Sequence, residues 1–438
     1  MTTNLTIKGL IVGVLILLLL IPALFINGLV QERASRKDEV FKDVASKWAS
    51  DQTITGPVLL IPYLVHFIGD NNQPKVIRKL AYFLPEHLRI NAKMQPQMRY
   101  RSIYQIVVYN SDLQIDGDFA ALPLGSMDIL PSDLLLSEAR LCMGLTDFRG
   151  IEEELQISWD DKDLVFNAGV PENTALQSGL NTVVPLGLAD INGVHRFSVH
   201  MALKGSDKLL FTPLGKTTKV DLASSWKSPS FDGSFLPANK NITDSGFTAD
   251  WEILHLNRNY PQYWTDEKYD LDGSSFGVSL FQASDLYTKT DRSVKYAILF
   301  IGLTFALYFF LEIFQKKKIH PLQYVLVGLA LCVFYTLLLS ISEYLGFNGA
   351  YGIAGLATVL LVGLYTGSVF GKARVGWIFG TVLGLLYTFI YVLIQLEDGA
   401  LLFGSIGLFV LLALGMYYSR QVDWYKGAVK GKDPVPLS

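Results

Sequence analysis

Apolar positions are spread unevenly along the chain. One run covers residues 10–30, and five more follow residue 293, at 296–314, 324–340, 351–370, 377–394 and 401–418. A bilayer core about 30 Å thick takes about 20 residues of apolar helix to cross. Only a helix satisfies its own backbone at that depth without leaving strand edges open to lipid. The pattern predicts a membrane protein with six transmembrane α-helices, one N-terminal and five C-terminal. Tyr296, Tyr324, Tyr351, Trp377, Tyr417 and Tyr418 fall at run ends, where interfacial aromatic belts form.

Between the runs the period changes. Residues 31–49 read as an amphipathic helix with Val40, Phe41, Val44 and Trp48 on one face, broken by Gly56-Pro57. Further on the period is two. Phe197, Val199 and Met201 alternate with Arg196, Ser198 and His200, and Val220 and Leu222 with Lys219 and Asp221. Turn residues recur at 204–207, 213–215, 231–233 and 272–273. Short strands at this spacing predict a large β-rich domain, sandwich-like or an open barrel. No repeat of solenoid period is found. The expected domains are 1–30, an N-terminal signal-anchor helix; 31–293, the β-rich domain opening on its amphipathic helix; and 294–438, a five-helix bundle with a tail. The first run is longer than the 7–15 residues of a cleaved signal's apolar region and has no A-x-A exit, so it reads as an anchor.

Composition agrees with the pattern. Of 438 residues, 50% are hydrophobic and 18% charged, against roughly 25% charged in a soluble domain. That excludes a purely soluble enzyme, a disordered chain and an outer-membrane barrel.

The net charge of −3 divides along the chain. Residues 1–30 carry only Lys8; residues 294–438 hold ten Lys/Arg against six Asp/Glu, leaving −8 for the middle. An acidic middle repels phosphates, so nucleic acid is no partner. The loops after the second and fourth runs hold Lys316, Lys317, Lys318, Lys372 and Arg374, and the tail holds Arg420, Lys426, Lys430 and Lys432. The alternate loops hold Glu343, Glu397 and Asp398 and no cation. The positive-inside rule then places both termini in the cytoplasm and the large domain outside. Arg33, Arg36, Lys37 and Lys42 stand on the opposing side, balanced by Glu32, Asp38, Glu39 and Asp43.

Candidate chemistry is sparse. Cys142 falls in the soluble stretch and Cys332 inside an apolar run that would span a bilayer, so the two cannot meet in a disulfide and offer no cysteine zinc site. Gly273-Ser274-Ser275-Phe276-Gly277 matches G-x-S-x-G, but the following Val278-Ser279-Leu280-Phe281 reads as a strand, where the nucleophile elbow needs a helix. Gly215-Lys216-Thr217 resembles a Walker A ending, yet position 210 is Leu where the loop needs Gly. His195 and His200, five apart, face opposite sides of one strand. His255 shares a strand face with Trp251 and Ile253. Asp160, Asp161 and Asp163 lack the glycine of a calcium loop and read as a solvated turn. The expectation is a protein that is not an enzyme and holds no cofactor or metal.

Two features inside the apolar runs stand out. Glu312 lies one turn before Lys316; the favoured reading is an i,i+4 pair at the interface, the sharper one a buried proton relay. Gly363, Gly367 and Gly371 repeat every four residues, as do Gly376, Gly380 and Gly384. Each row bares the backbone on one helix face, and Lys372 and Arg374 lie in the short turn between, so the two helices are expected to form an antiparallel hairpin. The rows read as fold packing or, more sharply, as a surface for self-association or a partner.

Three blocks carry a family resemblance. The first is Thr55-Gly56-Pro57-Val58-Leu59-Leu60-Ile61-Pro62-Tyr63. The second runs from Phe211-Thr212-Pro213-Leu214-Gly215 through Trp226, Pro229-Ser230-Phe231, Gly233, Phe235-Leu236-Pro237, Gly246-Phe247 and Trp251 to Asn257-Arg258-Asn259. The third begins Phe276-Gly277-Val278 and continues through Arg292, Lys295-Tyr296-Ala297, Leu299-Phe300-Ile301, Leu303-Thr304-Phe305, His320-Pro321 and Gln323-Tyr324 to Gly328-Leu329-Ala330. In these, and in its one-plus-five run arrangement, the chain resembles the CreD family of bacterial inner-membrane proteins. The resemblance implies an inner-membrane protein with a periplasmic domain and a part in cell-envelope integrity and stress tolerance, and it implies no reaction. The function expected is binding, scaffolding or sensing of a periplasmic envelope component or membrane-protein partner. The alternative is a carrier of a lipid or small envelope metabolite through the bundle, and behind that a periplasmic hydrolase.

Overall fold

The computed structural model describes residues 5–68, 73–172, 174–266, 269–280, 286–396 and 399–420. Glu397, Asp398, Lys426, Lys430 and Lys432 lie outside the described residues, as does the Tyr418 side chain. The chain divides into two compact units, one of residues 1–37 with 284–438 and one of residues 38–283. These limits fall inside the domain edges expected at 30 and 293.

The first unit is helical. Helix α1 is Leu5–Trp48, α2 Leu286–Lys295, α3 Ala297–Gln315, α4 Pro321–Phe370, α5 Ala373–Gln395 and α6 Ala400–Ser419. Five of them, all but α2, are long and apolar enough to cross a membrane. The sequence gives six runs because 324–340 and 351–370 both fall in α4. That helix is interrupted at Gly346, with φ 70° and ψ 169°, a conformation open essentially to glycine. Phe334 and Tyr351 would rise about 25 Å apart along a straight helix; their rings lie 5.4 Å apart. The chain therefore folds back at Gly346. Lys317 Nζ, in the loop before α4, donates to Val369 O in the last turn of that helix.

Tyr324 and Tyr351 do not form a belt. They are 1% and 5% exposed and turn inward because their hydroxyls have internal acceptors: Tyr324 donates to Glu312 and Tyr351 to Tyr387 O. Trp377 and Tyr417 do face outward. The short α2 went unread in the sequence. It joins the helical unit through Tyr287, whose hydroxyl donates to Glu343 at 3.1 Å, and Lys289, which donates to Gln395 at 3.1 Å.

The second unit is β-rich. Among its described residues, one sheet has nine strands and the other eight. At the centre of the first, Gln52–Ile68 pairs parallel with Lys208–Phe211 and antiparallel with Pro74–Phe83 and Arg140–Leu145. In the second, His87–Arg101, Tyr104–Phe119 and His195–Ser206 pair antiparallel, and Thr217–Ser224 lies parallel to His87–Arg101. The predicted alternation holds: Phe197, Val199, Met201, Val220 and Leu222 are buried, while Arg196, His200, Lys219 and Asp221 are exposed. Rings from both sheets meet in one core, Trp251 against Phe276 at 5.6 Å and Phe231 against Phe247 at 5.8 Å.

Three local expectations are corrected. Gly56-Pro57 does not break the first helix, which ends at Trp48. It sits inside the strand Gln52–Ile68, where the register against Arg140–Leu145 shifts between Thr55 and Val58, a bulge. Residues 230–233 form an edge strand where a turn was expected. His255 leaves the Trp251 strand face and begins a 3-10 turn over His255–Asn257.

Candidate functional site

Glu312 is the one carboxylate in the α3 run, and its setting differs from the favoured expectation. Its partner is Lys8 of α1, not Lys316. The Lys8 ammonium donates to Glu312 Oε1 and to Ile319 O at 2.9 Å. Ile319 N–H donates to Oε1 at 3.1 Å, and the Tyr324 hydroxyl donates to Oε2 at 2.9 Å. Lys316 is diverted because it ends α3 in a left-handed cap, φ 49°, with its side chain exposed. The Lys8 and Glu312 side chains are 17% and 10% exposed. The carboxylate thus joins α1, α3 and the start of α4. Each oxygen is satisfied by a donor, as a buried charge requires.

A parallel arrangement lies further along α1. Arg33 approaches Glu343 at 3.8 Å, and Glu343 also accepts from Tyr287. Lys8 and Arg33 are 25 residues apart, about 37 Å of helix, close to the span between the two polar faces of a bilayer. Two residues before Arg33, Gln31 Nε2 donates to Asp291 Oδ1 at 3.0 Å. Gln31 and Asp291, which lie in the helical unit on either side of the β-rich stretch in the sequence, are therefore neighbours.

The glycine rows meet across α4 and α5. A Cβ on Gly376 would lie 2.5 Å from Gly363 O and 2.8 Å from Gly367 Cα; one on Gly363 would lie 3.3 Å from Gly376 O. Gly363, Gly367, Gly376 and Gly380 thus form the helix contact itself. Gly371 stands apart from it, ending α4 with φ 69°. Gly384 has room: its Cβ would meet only Val359 Cγ1, at 3.9 Å. All six glycines line one groove of about 720 Å³ along the outside of the hairpin. Lys372 stands at its mouth and donates to Gln315 at 3.2 Å.

In the β-rich unit the chemical candidates are engaged in structure. His195 bonds Asp160 at 2.9 Å and Asp190 O at 3.0 Å and stacks on Trp159. Asp160 occupies the tight turn between Gln156–Trp159 and Lys162–Val165 and also accepts from Arg196 N–H. The serines of the G-x-S-x-G string precede the strand Phe276–Ser279, so no strand–turn–helix elbow forms there. Gly215-Lys216-Thr217 enters the strand Thr217–Ser224, so its N–H groups do not open a helix. Burial pushes the Cys142 thiol up to about 12. Among the described residues no three His, Cys, Asp or Glu gather as a metal site.

Sequence reasoning missed Asp147. It is buried, and hydrogen bonds from the Arg149 guanidinium hold it well below the usual carboxylate range, helped by Ser50. It accepts from Ser50 N–H at 2.9 Å and Arg149 Nη2 at 2.7 Å, while Arg149 also donates to Ser46 O at the end of α1. The motif has a local signal in Asp147-x-Arg149, but its target lies about 100 residues earlier.

A family model described as Inner membrane protein CreD matches residues 4–425. The Inner membrane protein CreD of Escherichia coli (strain K12) is 32% identical over 418 residues, covering 94% of this chain and 91% of that protein.

Proposed function

The chain belongs to the CreD family of inner membrane proteins, and from that premise we propose that it supports the cell envelope by binding or scaffolding, without catalysis, through an exported β-rich unit. In this reading α4 crosses twice by folding back at Gly346, which makes six passes. Both termini are cytoplasmic and residues 38–283 fold as a periplasmic sandwich. The lysine-bearing loops on one side support that orientation.

The observation that carries the reading is the Gln31–Asp291 hydrogen bond. It joins two helices, α1 and α2, that flank the β-rich unit in the sequence, and chain connectivity tethers that unit to the helices at both of its ends. A doubly tethered domain stays close to the membrane surface, where it braces or senses what lies beside it. Reporter enzymes fused within residues 100–200 test the placement: activity is expected only from an export-dependent reporter. Replacing residues 45–280 with a short linker tests the role. Loss of envelope-stress resistance with the helices still inserted is expected; unchanged resistance would sink it.

A transport reading has one observation in its favour. Thr304 Oγ1 and Tyr335 OH are buried among the helices and have no hydrogen-bond partner among the described residues, and polar groups inside a membrane bundle are costly unless used. Substrate-dependent flux in liposomes, lost in Tyr335→Phe, would favour it.

A further inference from the structure

The glycine rows and the loop lysines, singled out in the sequence for separate reasons, meet in space. The groove between α4 and α5 is walled by Leu356, Leu360 and Leu364 on one side and Trp377 on the other. Leu356, Leu364 and Trp377 are 62%, 69% and 67% exposed, so the rest of the described chain leaves them uncovered. The floor is bare backbone. In a bilayer such a trough fills with hydrocarbon, because water there would find no partners.

Its mouth has a different character. Lys372 lines it directly. The Lys372–Gln315 and Lys317–Val369 hydrogen bonds draw the 316–318 loop beside the 371–374 turn. Lys316, Lys317, Lys318, Lys372 and Arg374 are all exposed, and among the described residues none forms an ion pair. Helix α5, 23 residues long, begins here with no side-chain cap, which leaves first-turn N–H groups that favour an anion.

We propose that this groove binds one anionic phospholipid, its acyl chain along the glycine floor and its phosphate at Lys372 and Lys317. Basic pockets between transmembrane helices recognise anionic headgroups in this way. A second copy of the chain fits less well. Side by side in the same membrane orientation, two copies would bring their five cations to the same end.

The test uses the full chain purified from micelles containing equal phosphatidylglycerol and phosphatidylcholine, with retained lipids counted by native mass spectrometry. Wild type is expected to retain phosphatidylglycerol at least tenfold over phosphatidylcholine. In K317S/K372S that preference falls toward parity, since each lysine supplies at most about fivefold. Gly384→Leu fills the trough at a position with room for it, so bound lipid of both kinds drops severalfold at unchanged thermal stability. Equal retention of the two lipids by wild type, or a preference untouched in K317S/K372S, would overturn the proposal. So would a Gly384→Leu chain that changes from dimer to monomer with its lipid count intact, which assigns the groove to a second copy.

Discussion

Lys8 and Glu312 stand 304 positions apart in the sequence and form a buried ion pair that fastens the first helix to the third. The pair gains from the low dielectric only while both members are present. Losing one leaves an uncompensated charge, typically at about 3–5 kcal/mol. Lys8→Met and Glu312→Gln are each expected to lower the thermal midpoint in detergent, and the double variant by less than either alone. Additive losses would show that the two side chains act independently.

The α4–α5 contact predicts opposite results for two glycines of the same row. Gly376→Ala places a methyl group against the Gly363 and Gly367 backbone, which cannot yield as a side chain would. Overpacking of this kind costs roughly 1–3 kcal/mol. Gly384→Ala meets only Val359 at 3.9 Å and is expected to be nearly neutral. Thermal unfolding of both variants in one detergent reads the contrast, and equal behaviour would contradict the packing described.

At Gly346 the backbone takes φ 70° and ψ 169°. A side chain there is strained by about 1–3 kcal/mol, although nothing crowds the position within 4 Å. Gly346→Ala is expected to reduce stability, with faster hydrogen exchange around residues 340–352. An unchanged exchange profile would mean that the reversal is set elsewhere.

Asp147 supplies a pH dependence. Its folded value lies below the ordinary carboxylate value of about 3.9. Its contribution is therefore fully present above about pH 4 and is lost as pH falls through the folded value. Asp147→Asn removes the charge-assisted bonds from Arg149 and Ser50. It is expected to lower stability at neutral pH by roughly 1–3 kcal/mol. Limited proteolysis of the full chain near residues 46–52 should show the variant already open at pH 7 and wild type still largely closed at pH 3, because the folded value lies lower still.

Much of this was legible in the sequence, and the rest was hidden for a physical reason. The apolar runs, the alternation at 197–201 and the facing glycine rows are local patterns, and local patterns repeat in the structure. The i,i+4 rule points Glu312 to the nearest cation, Lys316, whereas the cation it uses is Lys8, just ahead of the first apolar run. Tyr324 and Tyr351 sit at run ends like belt residues. Their inward turn depends on acceptors supplied by Glu312 and by the Tyr387 carbonyl, which no periodicity reveals. Gly56-Pro57 carries the signature of a helix break and is instead absorbed by a bulge in a central strand.

The Gln31–Asp291 bond has a consequence for how the protein can be dismantled. Since Gln31 and Asp291 are neighbours in the helical unit, residues 38–283 are expected to behave as an exchangeable cassette. A splice of a few flexible residues should span the gap without prising the helices apart. The helical portion can then be graded against envelopes carrying no cassette, its own, or one grafted from a relative, which separates what the anchor does from what it carries.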